Sequence, residues 1–230
     1  MLVGTNKLTV LTLKGIHVKT KETKEQILKA AMEEFMEKGY KDASMRKIAS
    51  KVGITATALY RHYANKEEIF DAVVEPAVSA WEGLCQTEEA RQVGTARENG
   101  VEAMWEDEDQ AKIIVKLIYD NFDAHKLLFC KSEGTKYENY LHTIVSKVQE
   151  ATLAFKDELE AGGMLVNSVD ENEMHLLLSA QYTAMLEMVH HDFTYEQALH
   201  YCDTISRFFK EGWRKFLGFI RMQGSKYLLR

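Results

Sequence analysis

Proline occurs only once in this chain of 230 residues, at Pro76, and this scarcity limits the available folds more than any other feature. A proline inside a helix removes a backbone hydrogen bond and collides with the preceding turn. Its near absence therefore leaves long stretches in which helices can continue. Alanine, leucine, glutamate, lysine and methionine, which favour helices, recur throughout the chain. The sequence predicts an all-α protein.

Residues 21–70 carry the pattern of three short helices that lead into a longer fourth helix. An apolar stripe at three- and four-residue spacing predicts the first helix, and Gly39 is expected to end it. The stripe consists of Ile27, Ala30, Ala31, Phe35 and Met36. Ser44 is expected to cap a second helix that ends before Gly53, and Thr55 to cap a third. The fourth helix is expected to open with a capping box, Asn65-Lys66-Glu67-Glu68.

The second and third predicted helices have the layout of a helix-turn-helix. Both are short and amphipathic, and Gly53 supplies a tight turn between them. In such a unit the first helix braces the DNA backbone and the second lies in the major groove. The side chains expected to hold the two helices together are Ile48, Ala49, Val52, Ile54 and Leu59. This layout predicts a DNA-binding domain over residues 21–70.

The distribution of charge agrees with DNA binding, although the formal net charge of the whole chain is -6. Residues 1–66 contain 13 Lys and Arg against 6 Asp and Glu, whereas residues 67–230 contain 16 against 29. A basic N-terminal part can hold phosphates while an acidic remainder keeps the protein soluble.

The segments on either side of residues 21–70 are less regular. Residues 1–20 alternate apolar and polar side chains with no second strand to pair with, so we expect a flexible arm. It is either a frayed terminus or a basic arm that reaches a DNA groove. Pro76 is expected to kink the fourth helix and to mark the start of a second domain over residues 71–230. Its further helices are predicted at 77–86, 88–105, 108–124, 125–131, 136–160, 171–190 and 195–219.

Residues 22–70 resemble the DNA-binding domain of the TetR family of bacterial transcriptional regulators. The matching residues are Ile27-Leu28-x-Ala30-Ala31, Phe35 with Gly39-Tyr40, Ile48-Ala49, Val52-Gly53, Leu59-Tyr60-x-x-Tyr63 and Lys66-Glu67-Glu68. The resemblance implies an N-terminal three-helix helix-turn-helix domain joined by a long fourth helix to a C-terminal helical ligand-binding and dimerisation domain. It covers under a quarter of the chain and does not name the ligand.

The resemblance also implies which side chains meet DNA. Base edges or nearby phosphates would be contacted by Thr55, Ala56, Thr57 and Arg61, and the DNA backbone by Ser44, Arg46, Tyr60, His62 and Lys66. Ala56 and Ala58 offer methyl contacts to thymine but no paired hydrogen bonds, so few side chains would read the base sequence. Tyr63 is interpreted as a core aromatic. Arg46, Arg61 and His62 also fit ordinary solvated positions.

The acidic remainder is expected to hold an effector pocket and a dimer interface. The candidate pocket residues for an apolar or aromatic effector are Met104, Trp105, Tyr119, Phe122, Phe155, Tyr182 and Met185, which also fit a packed core. The two amphipathic helices within residues 171–219 would pair with their counterparts in a twofold homodimer. Glu171 with His175, and His190-His191-Asp192, lack the further ligands that a metal site needs, so we expect no metal and no cofactor.

Other functional classes find little support in the sequence. The three cysteines are widely spaced and read as reduced thiols, and no apolar run is long enough for a membrane helix, so we expect a cytoplasmic protein. Catalytic motifs such as G-x-S-x-G or a phosphate-binding glycine loop are absent from the sequence, which argues against an enzyme. We therefore expect a DNA-binding regulator, a repressor released from a palindromic operator by a small molecule. The alternatives are a helical ligand-binding or scaffold protein without DNA binding, and a helical-bundle enzyme.

Overall fold

The computed structural model of the chain describes residues 7–99, 109–163 and 166–218, and all regular secondary structure in these ranges is α-helical. The helices are α1 Lys7–Asp42, α2 Met45–Val52, α3 Ala56–Tyr60, α4 Lys66–Asn99, α5 Asp109–Asp120, α6 Phe122–Cys130, α7 Tyr140–Ala161, α8 Glu171–His190 and α9 Tyr195–Leu217. The predicted all-α fold is therefore confirmed. None of the helices in these ranges combines the length and apolar character needed to cross a membrane.

The first helix begins earlier than predicted, at Lys7 instead of near Lys21. An extended segment without a partner strand leaves its backbone groups unpaired, whereas a helix pairs them internally, so the alternating pattern did not produce an extended segment. The flexibility expected of residues 1–20 stays a prediction. At the other end, Gly39 interrupts α1 as predicted, with φ 73° and ψ 168°. A positive φ is a conformation that glycine adopts without strain.

Helix α4 runs through Pro76 without interruption, so the helix predicted at 77–86 is part of α4 and not a separate element. Buried apolar side chains lie on both sides of the proline: Val73, Val74, Ala77 and Trp81. Their packing holds the helix together across the one backbone hydrogen bond that proline cannot make. The predicted helix 88–105 likewise joins α4 as far as Asn99, and residues 100–105 lie outside the described residues. The kink expected near Pro76 stays a prediction.

The remaining helices follow the predicted order with shifted ends. The junction between α5 and α6 falls at Asn121, not near residue 124, because Asn121 leaves helical geometry with φ -146° and ψ 54°. Helix α7 begins at Tyr140, not at residue 136, because a turned segment around Gly134 occupies residues 131–139. Gly134 has φ 82°, again a conformation that favours glycine. Short polar turns therefore set these ends more strongly than the apolar pattern does.

A hydrophobic core joins the N-terminal head, residues 21–65, to the body formed by α4–α9. It includes Ile27, Phe35, Ile48 and Leu59 from the head and Phe70, Val74, Ile118, Leu127 and Met188 from the body, all fully buried. A second cluster lies where α7 and α8 meet the end of α9, around Val145, Leu159, Met174 and Leu217. The head is thus packed onto the body and not tethered by a linker.

Polar contacts reinforce this packing at the segment between α6 and α7. The backbone N–H of Tyr40 donates to the carbonyl of Lys131 at 3.0 Å. Lys41 pairs with Glu133 at 3.0 Å, and Lys136 pairs with Asp71 of α4 at 2.6 Å. These contacts surround the point where α1 ends, and they fix the end of α1 relative to α6.

Because one core spans head and body, we predict that the chain unfolds in a single cooperative transition. Tryptophan fluorescence reports on the body, since all three tryptophans lie beyond residue 80, and far-UV circular dichroism reports on every helix. The two signals should share one midpoint in urea. Phe70→Ala should lower the free energy of unfolding by about 3–5 kcal/mol and move both midpoints together.

Tyr60→Ala provides the control, because Tyr60 is half exposed and its loss should cost less than about 1 kcal/mol. Separate midpoints for the two signals in the wild-type chain would contradict a shared core.

Candidate nucleic-acid interface and internal cavity

The N-terminus of α2 is anchored by a buried glutamate of α1. Ser44 has the extended conformation of an N-cap, as predicted, but its side chain makes no capping hydrogen bond. Its backbone N–H donates instead to Glu34 Oε1 at 3.3 Å, and Glu34 is only 1% exposed. A carboxylate at a helix N-terminus is favoured by the helix dipole. Sequence reasoning missed Glu34, although its spacing from Ile27 places it on the apolar stripe of α1.

The turn between α2 and α3 depends on Gly53, as predicted. Gly53 has φ 75° and ψ 25°. Its N–H donates to the carbonyl of Ser50 at 3.1 Å, and the N–H of Ile54 donates to the carbonyl of Ala49 at 3.0 Å. This left-handed ending closes α2 and sets the direction in which α3 leaves the turn.

Helix α3 presents a polar face outward and one apolar side chain inward. Thr55 caps it as predicted, because its hydroxyl oxygen accepts the N–H of Ala58 at 3.1 Å. Leu59 is fully buried, whereas Thr57 and Arg61 are exposed and Tyr60 is 50% exposed. Ala56 and His62 are half-buried. The residues predicted to meet DNA therefore cluster on and beside one short helix.

Tyr63 packs against the hydrophobic core and is half-buried, which agrees with its interpretation as a core aromatic. Burial also raises the pKa of its hydroxyl. Tyr60 is 50% exposed and does not belong to that core. The two tyrosines of the motif thus have different environments, and only Tyr60 is placed to reach another molecule.

Lys66 binds the end of α1. Its ammonium group donates to the carbonyls of Lys41 at 2.9 Å and Ala43 at 3.2 Å, and lies 4.6 Å from the ring centroid of Tyr40. Burial lowers the pKa of this lysine. Sequence reasoning predicted a phosphate contact here and missed this link between α1 and α4.

The start of α4 has nearly the predicted capping box. The N–H of Glu68 donates to Asn65 Oδ1 at 2.8 Å. The Glu68 carboxylate accepts from the N–H of Ala64 at 2.7 Å, one residue before the N–H that a standard box would use. These bonds fix the turn between α3 and α4 and hold α3 in position from its C-terminal side.

Cationic side chains lie on the exposed surface of α2 and at Arg61, the residue that follows α3. Arg46, Lys47 and Arg61 are exposed and make no ion pair with any described residue. Lys51 differs, because it lies 3.6 Å from Glu33 and 3.8 Å from Glu34. Unpaired cations beside a helix-turn-helix form the electrostatic footprint of a DNA-binding surface.

Comparison with known proteins agrees with this geometry. The family model described as bacterial regulatory proteins, tetR family, matches residues 27–73, which span α2, α3 and the adjoining parts of α1 and α4. Residues 27–73 are therefore similar to the DNA-binding segment of this family. The predicted helix-turn-helix is therefore confirmed.

Curated relatives match over the same TetR-family segment. The HTH-type transcriptional regulator TtgW of Pseudomonas putida is 43% identical over 54 residues, 24% of this chain and 40% of TtgW. The regulator SrpR of Pseudomonas putida is 42% identical over 53 residues, 23% of this chain and 25% of SrpR. The chain thus covers less than half of either relative, and the similarity concerns the DNA-binding segment.

A solved structure shows the same fold over most of the chain. NalD, the secondary repressor of the MexAB-OprM multidrug efflux pump in Pseudomonas aeruginosa, superposes with a TM-score of 0.54. The match covers 82% of this chain and 96% of NalD at 19% sequence identity. It supports the same helical architecture for head and body.

The body contains a cavity of about 550 Å³ between α4, α5, α7 and α8. Its apolar wall includes Trp81, Leu84, Ile114, Val148, Phe155 and Tyr182, and charged side chains of Glu82, Lys147 and Glu150 also line it. Of the predicted pocket residues, Phe155 and Tyr182 line this cavity. Met104 and Trp105 lie outside the described residues.

The other three predicted pocket residues have packing roles and do not line this cavity. Met185 is 4% exposed within the core. Tyr119 donates its hydroxyl to the carbonyl of Phe193 at 2.6 Å, and its ring packs against Phe122, with ring centroids 5.0 Å apart. Their role in effector binding stays a prediction, because aromatic residues that join α5 to the α8–α9 turn have the same sequence pattern as a pocket wall.

Histidines of the body pair with one another. His175 Nε2 lies 3.1 Å from His142 Nδ1, and His175 Nδ1 lies 2.8 Å from Gln149 Oε1. Glu171, which sequence spacing placed near His175, instead accepts a hydrogen bond from Gln149 through its backbone carbonyl. Within the described ranges, no group of three or more His, Cys, Asp or Glu side chains is placed to hold a metal ion.

Two glycine substitutions test the turn of the helix-turn-helix. A Cβ at Gly53 or at Gly83 of α4 would meet no atom within 4 Å, so neither substitution creates a clash. Gly53→Ala should nevertheless destabilise the chain by about 1–2 kcal/mol, because its φ is positive. Gly83→Ala should stabilise it by about 0.5–1 kcal/mol, because its backbone is helical. Thermal unfolding followed by circular dichroism measures both, and equal shifts would contradict the conformational argument.

Proposed function

We propose that the chain is a homodimeric DNA-binding transcriptional regulator, and that it acts as a repressor released from its operator by a small molecule. The observation that carries this proposal is the exposed, unpaired cationic surface of α2 and α3 within the segment that matches the TetR family. The rigid attachment of that surface to a body with an internal cavity supports the regulatory part.

We assign the DNA contacts by position on this surface. Thr57 on α3 and Arg61 directly after it are exposed, so they are the side chains proposed to meet base edges. Thr55 and Ala56, at the start of α3, lie beside the same groove. An α3 of five residues is short, which agrees with base reading by few side chains.

Contacts to phosphate are proposed for the flanking residues Ser44, Arg46, Tyr60, His62 and Lys66. The Ser44 hydroxyl is not used as a cap, and the Arg46 guanidinium makes no ion pair among the described residues. An ammonium group has three N–H donors, so Lys66 keeps one beyond its bonds to the end of α1. Contact at Lys66 would connect a phosphate directly to the α1–α4 link.

The dimer is proposed to form through α8 and α9. These helices expose large apolar side chains: Leu176 is 67% exposed, Leu177 39% and Phe208 75%. Exposed apolar patches on a helical protein mark interaction surfaces. Pairing α8 and α9 with their twofold copies would form a four-helix interface and set two α3 helices about 34–36 Å apart, one turn of DNA.

Effector control is proposed to act through α4, which lines the cavity and begins directly after the head. An effector that fits one arrangement of α4 better than another shifts the equilibrium between DNA-competent and incompetent dimers. The name of NalD as a repressor supports repression as the default mode. The alternative function, a ligand-binding protein without DNA binding, would also explain the cavity. It would not explain the exposed cationic surface of α2 and α3.

The DNA surface is tested by comparing two exposed cationic side chains, one on α2 and one on α5. Arg46→Ala should weaken binding to duplex DNA by a similar factor on every sequence, because a phosphate contact carries no base preference. It should also reduce the dependence of log K on log salt concentration by about 0.9, the value of one phosphate contact. Fluorescence anisotropy with a labelled duplex from the promoter of the chain's own gene measures both quantities.

Lys116→Ala is the control, because the Lys116 side chain is 67% exposed but lies on α5, outside the proposed DNA and dimer surfaces, and pairs with Asp120. It should change neither affinity nor salt dependence. If the wild-type chain does not bind duplex DNA even at low salt, the proposed function is wrong. The alternative, a ligand-binding protein without DNA binding, is then supported.

The dimer surface is tested by placing a charge on it. Phe208→Asp should convert a dimer into a monomer, because a carboxylate buried against an apolar partner surface loses its hydration. Light scattering after size-exclusion chromatography should show half the mass. Affinity for a two-site duplex should also fall, because linked heads no longer raise each other's effective concentration.

Thr143→Asp adds the same charge at an exposed position of α7 and should leave the dimer intact. Equal behaviour of the two variants would place the dimer interface elsewhere or show that the chain is monomeric.

A further inference from the structure

Glu34 is a buried acidic side chain on the face of α1 that meets α2. It follows Ile27 and Ala31 at helical spacing, so it shares their apolar stripe, and it is only 1% exposed. A carboxylate loses its hydration when it leaves water, and a protein tolerates this where the charge is paired and hydrogen-bonded. An apolar side chain at this position would avoid that cost. The carboxylate therefore needs an explanation beyond packing.

The Glu34 carboxylate contacts both ends of α2. Its Oε1 accepts the backbone N–H of Ser44, the residue before the first turn, at 3.3 Å. Its Oε2 lies 3.8 Å from the ammonium nitrogen of Lys51 in the last turn. Helical side chains lean toward the N-terminus of their helix, which brings the Lys51 ammonium group back toward Glu34. One side chain of α1 thus meets the start of α2 directly and its last turn through Lys51.

The buried side chains of α2 do not fix its orientation in the same way. They are Met45, Ile48 and Ala49, all apolar. Apolar burial is non-directional, so by itself it leaves small rotations and shifts of α2 against α1 open. A hydrogen bond depends on distance and angle, and together with the ion pair it selects one arrangement. Glu34 therefore supplies the directional contact between α1 and α2.

The position of α2 determines the position of α3. The turn at Gly53 joins the two helices, and the N–H of Ile54 in that turn donates to the carbonyl of Ala49 in α2 at 3.0 Å. A rotation of α2 therefore also moves Thr57 and Arg61, the side chains proposed to meet base edges. Hydrogen bonds to base edges weaken steeply when donor and acceptor are misaligned.

We propose that Glu34 is a positioning residue for base recognition: by holding both ends of α2 on α1, its carboxylate sets the direction in which α3 enters the DNA groove. This inference rests on the proposed function, because base reading by α3 is part of that function. It also explains why a charged side chain occupies the apolar stripe of α1.

Stability separates this role from a merely structural one. Replacing a buried charge by an apolar side chain of similar volume is often neutral or stabilising. In Glu34→Met, Lys51 keeps its pairing with Glu33 at 3.6 Å, and its side chain is 36% exposed, so its charge stays hydrated. Glu34→Met should therefore melt at or above the wild-type temperature, measured by circular dichroism, while it recognises DNA less well.

Sequence discrimination measures the positioning role. It is the ratio of affinities for two labelled duplexes, measured by fluorescence anisotropy. One is the duplex that the wild-type chain selects from fragments of its own genome, and the other is a permuted duplex of the same length and base composition. Glu34→Met should lower this ratio about tenfold, the effect of one base contact. Glu34→Gln keeps an oxygen that accepts the Ser44 N–H, so its ratio should lie between those of Glu34→Met and the wild type.

Glu33→Gln is the matched control. It removes one negative charge from the same place on α1, and Glu33 also pairs with Lys51. Its side chain is 56% exposed, however, and the Ser44 N–H donates to Glu34 instead. Glu33→Gln should keep the wild-type ratio, so an effect of charge alone is separated from an effect of position.

Hydrogen exchange at the Ser44 amide, followed by NMR, tests the contact without DNA. Exchange should be slow in the wild type and in Glu34→Gln and faster in Glu34→Met, because only the first two retain the acceptor.

The proposal is wrong if Glu34→Met discriminates as the wild type does, if Glu33→Gln loses discrimination equally, or if the loss in Glu34→Met accompanies a lower melting temperature. Equally fast exchange at Ser44 in the wild type and in Glu34→Met also overturns it. A wild-type chain that prefers neither duplex refutes the proposed function, whereas the exchange and melting results still decide whether Glu34 holds α2.

Discussion

The structure depends on the packing of the end of α1 against α4 and the segment that follows α6. Phe35, Tyr40 and Phe70 form a ring cluster, with Phe70 5.1 Å from Phe35 and 5.2 Å from Tyr40 between ring centroids. Tyr137 from the body joins it at 6.3 Å from Phe70. Without this cluster the head would be a separate unit, and the direction of α3 would be independent of the body.

The head could be predicted from sequence because local signals specify it. Gly39 and Gly53 adopt positive φ where the chain must turn, Thr55 caps α3, and Asn65 with Glu68 opens α4. Each of these features involves residues no more than a few positions apart, so spacing alone reveals it. The residues proposed to contact DNA came instead from the resemblance to the TetR family, and they lie within the same local frame.

What could not be predicted depends on contacts between distant residues. Helix α4 crosses Pro76 because buried side chains from several helices pack around it, and Glu34 is buried because the α2 N-terminus lies beside it. Tyr119 resembled a pocket residue until its bond to the carbonyl of Phe193, 74 positions away, gave it a structural role. Patterns within one helix contain no information about which partner will cover a given face.

The unpaired nitrogens of Trp81 and His125 mark the contact between α4 and α6 as a point of low stability. A buried polar group without a partner costs about 1–3 kcal/mol, and both rings meet at this contact. The two helices are the same ones that contact the end of α1, through Lys66 and through Lys131 just beyond α6. A change in the packing of α4 against α6 would therefore reach the end of α1, on which the position of α2 and α3 depends.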